Sequence, residues 1–191
     1  MTLSKIMDTP EGKHKPLGKY IFNNVQFSKY DPLVEKLKAA NYNVFNHPND
    51  DTGILVTFPV MWEGVQFHTV DGKEVNLDTA IDQLNSYKMI QTSWCQQNTS
   101  VTISYSLDEV EDIIDWLLEN WDCYVGVSFI YRMDPTKTAK DLGYLYLPQE
   151  VVDEKTYKEY VSTLLPVDLE NTHSFDELKD DECATGACPV K

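Results

Sequence analysis

Basic residues are scarce in this chain: sixteen Lys and Arg stand against thirty-one Asp and Glu, for a formal net charge of −15 over 191 residues. The few cations form no dense run, which argues against a nucleic-acid surface built on phosphate neutralisation. Long apolar runs are missing too. No stretch approaches the roughly eighteen consecutive apolar residues of a membrane span, and the start MTLSKIMDTPEGKHKP lacks the apolar core of a secretory signal. A cytosolic location is the default expectation. Cysteine is limited to Cys95, Cys123, Cys183 and Cys188, too few for a disulfide scaffold in a reducing compartment, so any disulfide should be transient. Four catalytic signatures are absent as well: the phosphate loop, G-x-G-x-x-G, H-E-x-x-H and G-x-S-x-G.

What is present describes a globular body of mixed α/β class. The composition, 42% hydrophobic and 12% aromatic, suits one domain with a real core. KYIFNNVQF reads as a strand, and DPLVEKLKAANY as a helix with Asp31 at the N-cap and Pro32 at its first position. NVF and GILVTFPV read as strands, and VQFHTVDGKEVNL as a hairpin turning at Asp71-Gly72. From Asp78 the apolar residues Ile81, Leu84, Tyr87, Met89, Ile90 and Trp94 predict a long helix ending near Cys95. SVTISY follows as a strand.

A capping box from Ser106 to Glu109 opens the next helix, whose expected apolar face is Val110, Ile113, Ile114, Leu117 and Leu118. Its carboxylates Glu109, Glu111, Asp112 and Asp115 read as a solvated face. CYVGVSFIY is expected to be a buried strand, and DEKTYKEYVSTLL a last helix capped by Asp153 and ended by Pro166. Cys95 and Cys123 read as packing residues, and Trp94, Trp116 and Trp121 as core or interface.

The segment VDLENTHSFDELKDDE carries seven acids against Lys179 alone, with few apolar residues to offset its ordering entropy. The sequence therefore divides into a body over 1–165 and a flexible acidic tail over 166–191. That tail ends in DDECATGACPVK, which places Cys183 and Cys188 within nine residues of the end of the chain. Exposed cysteine oxidises, exchanges disulfides or binds metal, so this pair points to chemistry rather than packing. The small intervening residues Ala184, Thr185, Gly186 and Ala187 allow so short a loop to close as a disulfide. A structural zinc site would want a second ligand pair, yet His14, His47, His68 and His173 lie far apart in sequence. An accidental pair remains the bland alternative.

The ending CATGACPVK resembles the C-terminus of ribonucleotide reductase catalytic subunits. The stretches GKYIFNNVQFSKYDPL, ILVTFPV, QTSWCQQNTSVTISY and YVGVSFIYR, in that order, resemble the C-terminal part of the adenosylcobalamin-dependent (class II) enzymes. The resemblance implies a C-terminal fragment of the family's ten-stranded α/β barrel. It implies that Cys183 and Cys188 are the tail pair that re-reduces the active-site disulfide and is recharged by thioredoxin or a glutaredoxin-like protein. Thr2 and Ser4 match the end of the family's substrate-phosphate loop, whose first half this sequence lacks.

The Asn-Pro-Cys motif of the radical-bearing finger loop is also missing, so the resemblance implies a larger N-terminal partner piece carrying that cysteine. The start is what a split gene, an interrupted gene or an intein junction would leave. Class I reductases carry adjacent tyrosines where SFIYR has Tyr131 alone, which favours adenosylcobalamin as the cofactor of the complete enzyme. A nucleotide substrate in the assembled enzyme follows from the same resemblance. Two other readings compete: a stand-alone thiol-disulfide carrier or regulatory protein, and a small metal-binding module.

Overall fold

The structure is a computed structural model, and it describes residues 13–167. Cys183, Cys188, Thr2 and Ser4 lie outside the described residues, as does nearly all of the acidic tail. The chain runs β1 (Tyr20–Ser28), α1 (Pro32–Ala39), β2 (Val44–Asn46), β3 (Gly53–Met61), β4 (His68–Val70) and β5 (Lys73–Val75). It continues α2 (Ala80–Ser93), β6 (Thr102–Tyr105), a 3-10 turn (Leu107–Glu109), α3 (Val110–Glu119), β7 (Ser128–Tyr131), β8 (Gln149–Val151) and α4 (Glu154–Thr163).

Three sheets result among the described residues. The largest is antiparallel with strand order β2-β3-β1-β8, and its spine is the nine-residue pairing of β1 with β3 from Tyr20↔Met61 to Ser28↔Gly53. Its strands are rich in β-branched and aromatic residues, which favour a pleated, half-buried surface. α1 packs Val34 and Leu37 against Ile54 and Val56 of this sheet. As expected, Asp31 caps α1 by accepting a bond from Leu33 N, and Pro32 opens it. α4 begins at its Asp153 cap and lays Tyr157 and Tyr160 against Tyr20 and Phe22, with ring centroids 5.0 Å apart in each pair.

The β4–β5 hairpin turns at Asp71-Gly72 as expected. Both residues have positive φ, 50° and 80°, and a backbone that turns in this sense matches the twist of the flanking strands. Gly18 bridges to Val75 beside the hairpin, where an added Cβ would meet Glu74 O and Val151 at 2.6 Å, so only glycine fits there.

β6 and β7 form a parallel pair connected through α3. Their helix-facing core consists of Ala80, Leu84 and Tyr87 of α2, Val101 and Ile103, and Ile113 and Trp116 of α3. Trp116 Nε1 donates to Asn85 Oδ1 at 2.8 Å and so ties α3 to α2.

Several expectations are corrected. CYVGVSFIY is not one buried strand: only Ser128–Tyr131 is extended, and all four residues are exposed. Cys123 instead sits half-buried in the turn before β7, packed against the α2–α3 core, and Cys95 is half-buried just past α2. α2 starts at Ala80, because Thr79 and Asp82 form a capping box there; Met89 and Trp94 point to solvent. On α3 the buried residues are Ile113 and Trp116, whereas Ile114 and Leu118 are exposed. Trp121 is exposed as well. β8 was not foreseen, since a three-residue strand leaves no periodic signal.

Candidate functional site

A cleft of about 500 Å³ opens where the three sheets meet. β6 alternates across it, as a strand must: Ile103 enters the helix-facing core, while Thr102 and Ser104 line the cleft, joined by Val101 just before the strand, which touches both. Ile130 of β7, Gln149 of β8 and Trp62 after β3 close other sides. Lys13 and Lys15, with His14 between them, place two cations on its rim in an otherwise acidic chain.

The rim is wired to its surroundings. Lys15 Nζ pairs with Asp78 Oδ1 at 2.7 Å, and Asp78 N donates to Asn76 Oδ1 at 2.9 Å. Thr102 N donates to His14 Nε2 at 3.2 Å, so that ring nitrogen is unprotonated in this arrangement. Lys13 Nζ lies 5.7 Å from the centre of the Tyr87 ring, and its burial lowers its pKa below the ordinary lysine value.

Behind the cleft lies a polar knot that periodicity had assigned to a solvated face. Glu109 accepts from Ala80 N at 2.7 Å and from Ser106 N at 2.8 Å, and pairs with Arg132 at 2.9 Å. Arg132 also donates to Ser104 O at 2.8 Å. Burial pushes the Glu109 carboxyl up, but the hydrogen bonds from Ala80, Ser106 and Arg132 outweigh it and hold the pKa below the ordinary glutamate value. The capping box was legible in sequence; the reach to Ala80 and Arg132 was not, because both partners arrive through tertiary packing.

A second hollow, about 380 Å³, lies between the large sheet, α4 and the chain before β8. Its polar groups satisfy one another. Thr57 Oγ1 donates to Asn24 Oδ1, Asn24 Nδ2 to Leu147 O, and Tyr160 Oη to Thr57 O, at 2.7, 2.7 and 2.8 Å. Burial raises the Tyr160 phenol above its ordinary value. This hollow is an internal brace more than a place for chemistry. Among the described residues no group of three His, Cys, Asp or Glu could hold a metal ion, and no helix is long and apolar enough to cross a membrane.

No family model matches the chain. Curated proteins do, across nearly its whole length. A probable adenosylcobalamin-dependent ribonucleoside-triphosphate reductase of Dictyostelium discoideum is 24% identical over 99% of the chain and 24% of its own length. Adenosylcobalamin-dependent ribonucleoside-triphosphate reductases of Lacticaseibacillus paracasei and Lactobacillus leichmannii are 27% and 25% identical over all of the chain and 25% of their own length. A crystal structure of a B12-dependent (class II) ribonucleotide reductase superposes with a TM-score of 0.70 at 20% identity, over 86% of this chain and 22% of that one. The chain thus spans about a quarter of the length of the reductases it matches. It is similar from end to end to part of an adenosylcobalamin-dependent ribonucleotide reductase, and its α/β fold is that of the matching part of a class II enzyme.

Proposed function

We propose that this chain is the C-terminal part of an adenosylcobalamin-dependent ribonucleoside-triphosphate reductase, an enzyme that makes deoxyribonucleotides for DNA synthesis. The observation that carries the reading is the similarity of the whole chain to a quarter of such reductases. Residues 1–165 would complete the ten-stranded catalytic barrel begun by a larger piece that bears the finger-loop cysteine. Residues 166–191 would carry the redox pair. The cleft-facing side of β6, with the cationic rim beside it, then forms one wall of the nucleotide cavity.

The cleft of about 500 Å³ is of the size that takes drug-sized ligands, so by itself it would not enclose a corrin with its nucleotide and adenosyl arms; adenosylcobalamin would supply the radical in the assembled enzyme.

The role of Cys183 and Cys188 is thiol–disulfide exchange. One tail thiolate attacks a sulfur of the active-site disulfide, forming a mixed disulfide and releasing one active-site thiolate. The second tail thiolate then displaces the other active-site sulfur, leaving a Cys183–Cys188 disulfide and a reduced active site. Two electrons and two protons have moved, and the dithiol of thioredoxin or a glutaredoxin-like protein restores the tail by the same two displacements. Pro166 to Cys183 spans 17 residues, a coil reach of roughly 23 Å and an extended limit of about 58 Å, which suits travel between an interior site and the surface.

Reconstitution with the larger reductase polypeptide tests the reading. Cys183→Ser and Cys188→Ser should each abolish thioredoxin-supported turnover while sparing turnover with a small dithiol that enters the site directly. Equal loss of both activities would remove the tail from electron delivery. Efficient thioredoxin-coupled disulfide reduction by the 191-residue chain alone would favour the stand-alone carrier instead.

A further inference from the structure

The hollow of about 380 Å³ under α4 performs no chemistry of its own, but one group on its wall is left over from the brace. Strand alternation sets the lining. Phe22 and Asn24 of β1, Phe45 of β2, Thr57 of β3 and Glu150 of β8 share this face, while Ile21, Val44, Val56 and Val151 turn the other way into apolar cores. Phe22 and Glu150 are direct partners in the β1–β8 register, so their side chains stand next to each other on that face. The Phe22 ring in turn meets Tyr160 edge-on, with centroids 5.0 Å apart.

The other polar side chains of the lining all have partners. Asn24, Thr57 and Tyr160 are taken up by the brace. Asn43 Nδ2 reaches Thr57 Oγ1 at 3.5 Å, and Tyr146 Oη meets His47 Nε2 at 3.0 Å. Glu150 differs: among the described residues its carboxylate makes no hydrogen bond and no ion pair. It is half-buried, and no Lys, Arg or His lines the hollow with it.

A half-buried anion is stabilised by a counter-charge, and the surroundings define which kind. A hard metal ion wants several oxygen ligands, and among the described residues no group of three His, Cys, Asp or Glu offers them. Phe22, Phe45, Tyr146 and Tyr160 instead supply rings, whose faces attract organic cations. A guanidinium suits such a place best, because it is planar, weakly hydrated, stacks on aromatic rings and forks onto a carboxylate. Ala139, Leu145 and Leu147 provide an apolar side for the stem that carries it.

We propose that this hollow binds a guanidinium group on a short apolar stem, with the Glu150 carboxylate as its counter-charge and the aromatic walls as its bed. Two sources share that chemistry: a free small molecule, and an arginine side chain of another polypeptide. The inference stands apart from the reductase reading, since it uses only groups of this chain.

The test titrates the full 191-residue chain, labelled with nitrogen-15, with n-butylguanidinium and records amide spectra. n-Butylurea, neutral and of the same shape, is the control. The amides of Phe22, Asn43, Leu147 and Glu150 should shift and saturate at roughly millimolar n-butylguanidinium, and n-butylurea should leave them in place. Glu150→Gln keeps the shape of the side chain and breaks no bond, so the unfolding midpoint should hold while n-butylguanidinium binds roughly tenfold more weakly. Absence of a saturable shift at these amides overturns the site. An equal response to n-butylurea, or undiminished binding by Glu150→Gln, removes the counter-charge and overturns it as well.

Repeating the titration in the presence of the larger reductase polypeptide separates the sources. Retained binding of n-butylguanidinium assigns the site to a free small molecule. Lost binding, with Glu150→Gln also weakening the joining of the two polypeptides, assigns it to an arginine of the larger one. Lost binding with no effect of Glu150→Gln on joining means that something other than a cation fills the hollow, and overturns the proposal while leaving the reductase reading standing.

Discussion

Glu109 ties three elements together with a single carboxylate: it caps its own 3-10 turn, receives the first amide of α2 and pairs with Arg132 just past β7. Its side chain is only 12% exposed, so screening by water is limited. Replacement by Ala would leave Arg132 without its anion and the Ala80 N–H without an acceptor, at a cost of about 2–4 kcal/mol in urea unfolding. The effect depends on pH with a defined sign. Because the folded-state pKa lies below the ordinary value of 4.5, the stabilisation is fully present above that pH and is lost as pH falls through the folded pKa. The stability difference between wild type and Glu109→Gln should therefore be constant near neutral pH and shrink under acid. A difference that grew on acidification would contradict the assignment.

At the scale of elements, α3 shows how a correct helix can be given the wrong face. Spacing alone allows Ile113, Ile114, Leu117 and Leu118 on one apolar stripe. Packing against α2 turns the helix so that Ile113 and Trp116, with Leu117 partly, enter the core, while Ile114 and Leu118, each one position further on, turn outward. Neighbouring isoleucines should then behave very differently in the chain alone. Ile113→Ala should cost about 2–4 kcal/mol through the cavity it leaves, and Ile114→Ala within about 0.5 kcal/mol. Thermal or urea unfolding of the two variants checks this, and similar losses would place the helix differently.

For the molecule as a whole, the exposed apolar residues are the telling feature. Trp94, Leu107, Leu118, Trp121 and Val125 are each at least two-thirds exposed, and the open β7 edge adds to them. Where such residues gather into a contiguous patch they mark association sites. Sedimentation velocity of the pure chain should show concentration-dependent association, relieved when the larger reductase polypeptide is added. A sharp, reversible, concentration-independent thermal transition of a monomer would count heavily against a barrel fragment.

Local signals were legible wherever one residue type has one local job. Asp31 and Asp153 cap helices because their carboxylates reach amides two or three residues on, and Asp71-Gly72 turns because its neighbours demand positive φ. The resemblance to class II reductases was legible in the same way, as an ordered set of strand and loop sequences. The exposure of β7 was not. An apolar run such as YVGVSFIY announces a strand that wants burial, but burial depends on which other strands are present, and among the described residues β7 has β6 alone beside it. Nor could sequence show that Gln83 closes the edge of β6 or that Glu109 receives Arg132, since those contacts span 21 and 23 residues and exist only once α2, β6 and β7 pack together. Propensity and capping act over one turn of chain, so the sequence by itself determined the elements. Edge pairing and buried charge are settled between elements distant in sequence, so only the tertiary structure decided which surfaces are finished and which are still open.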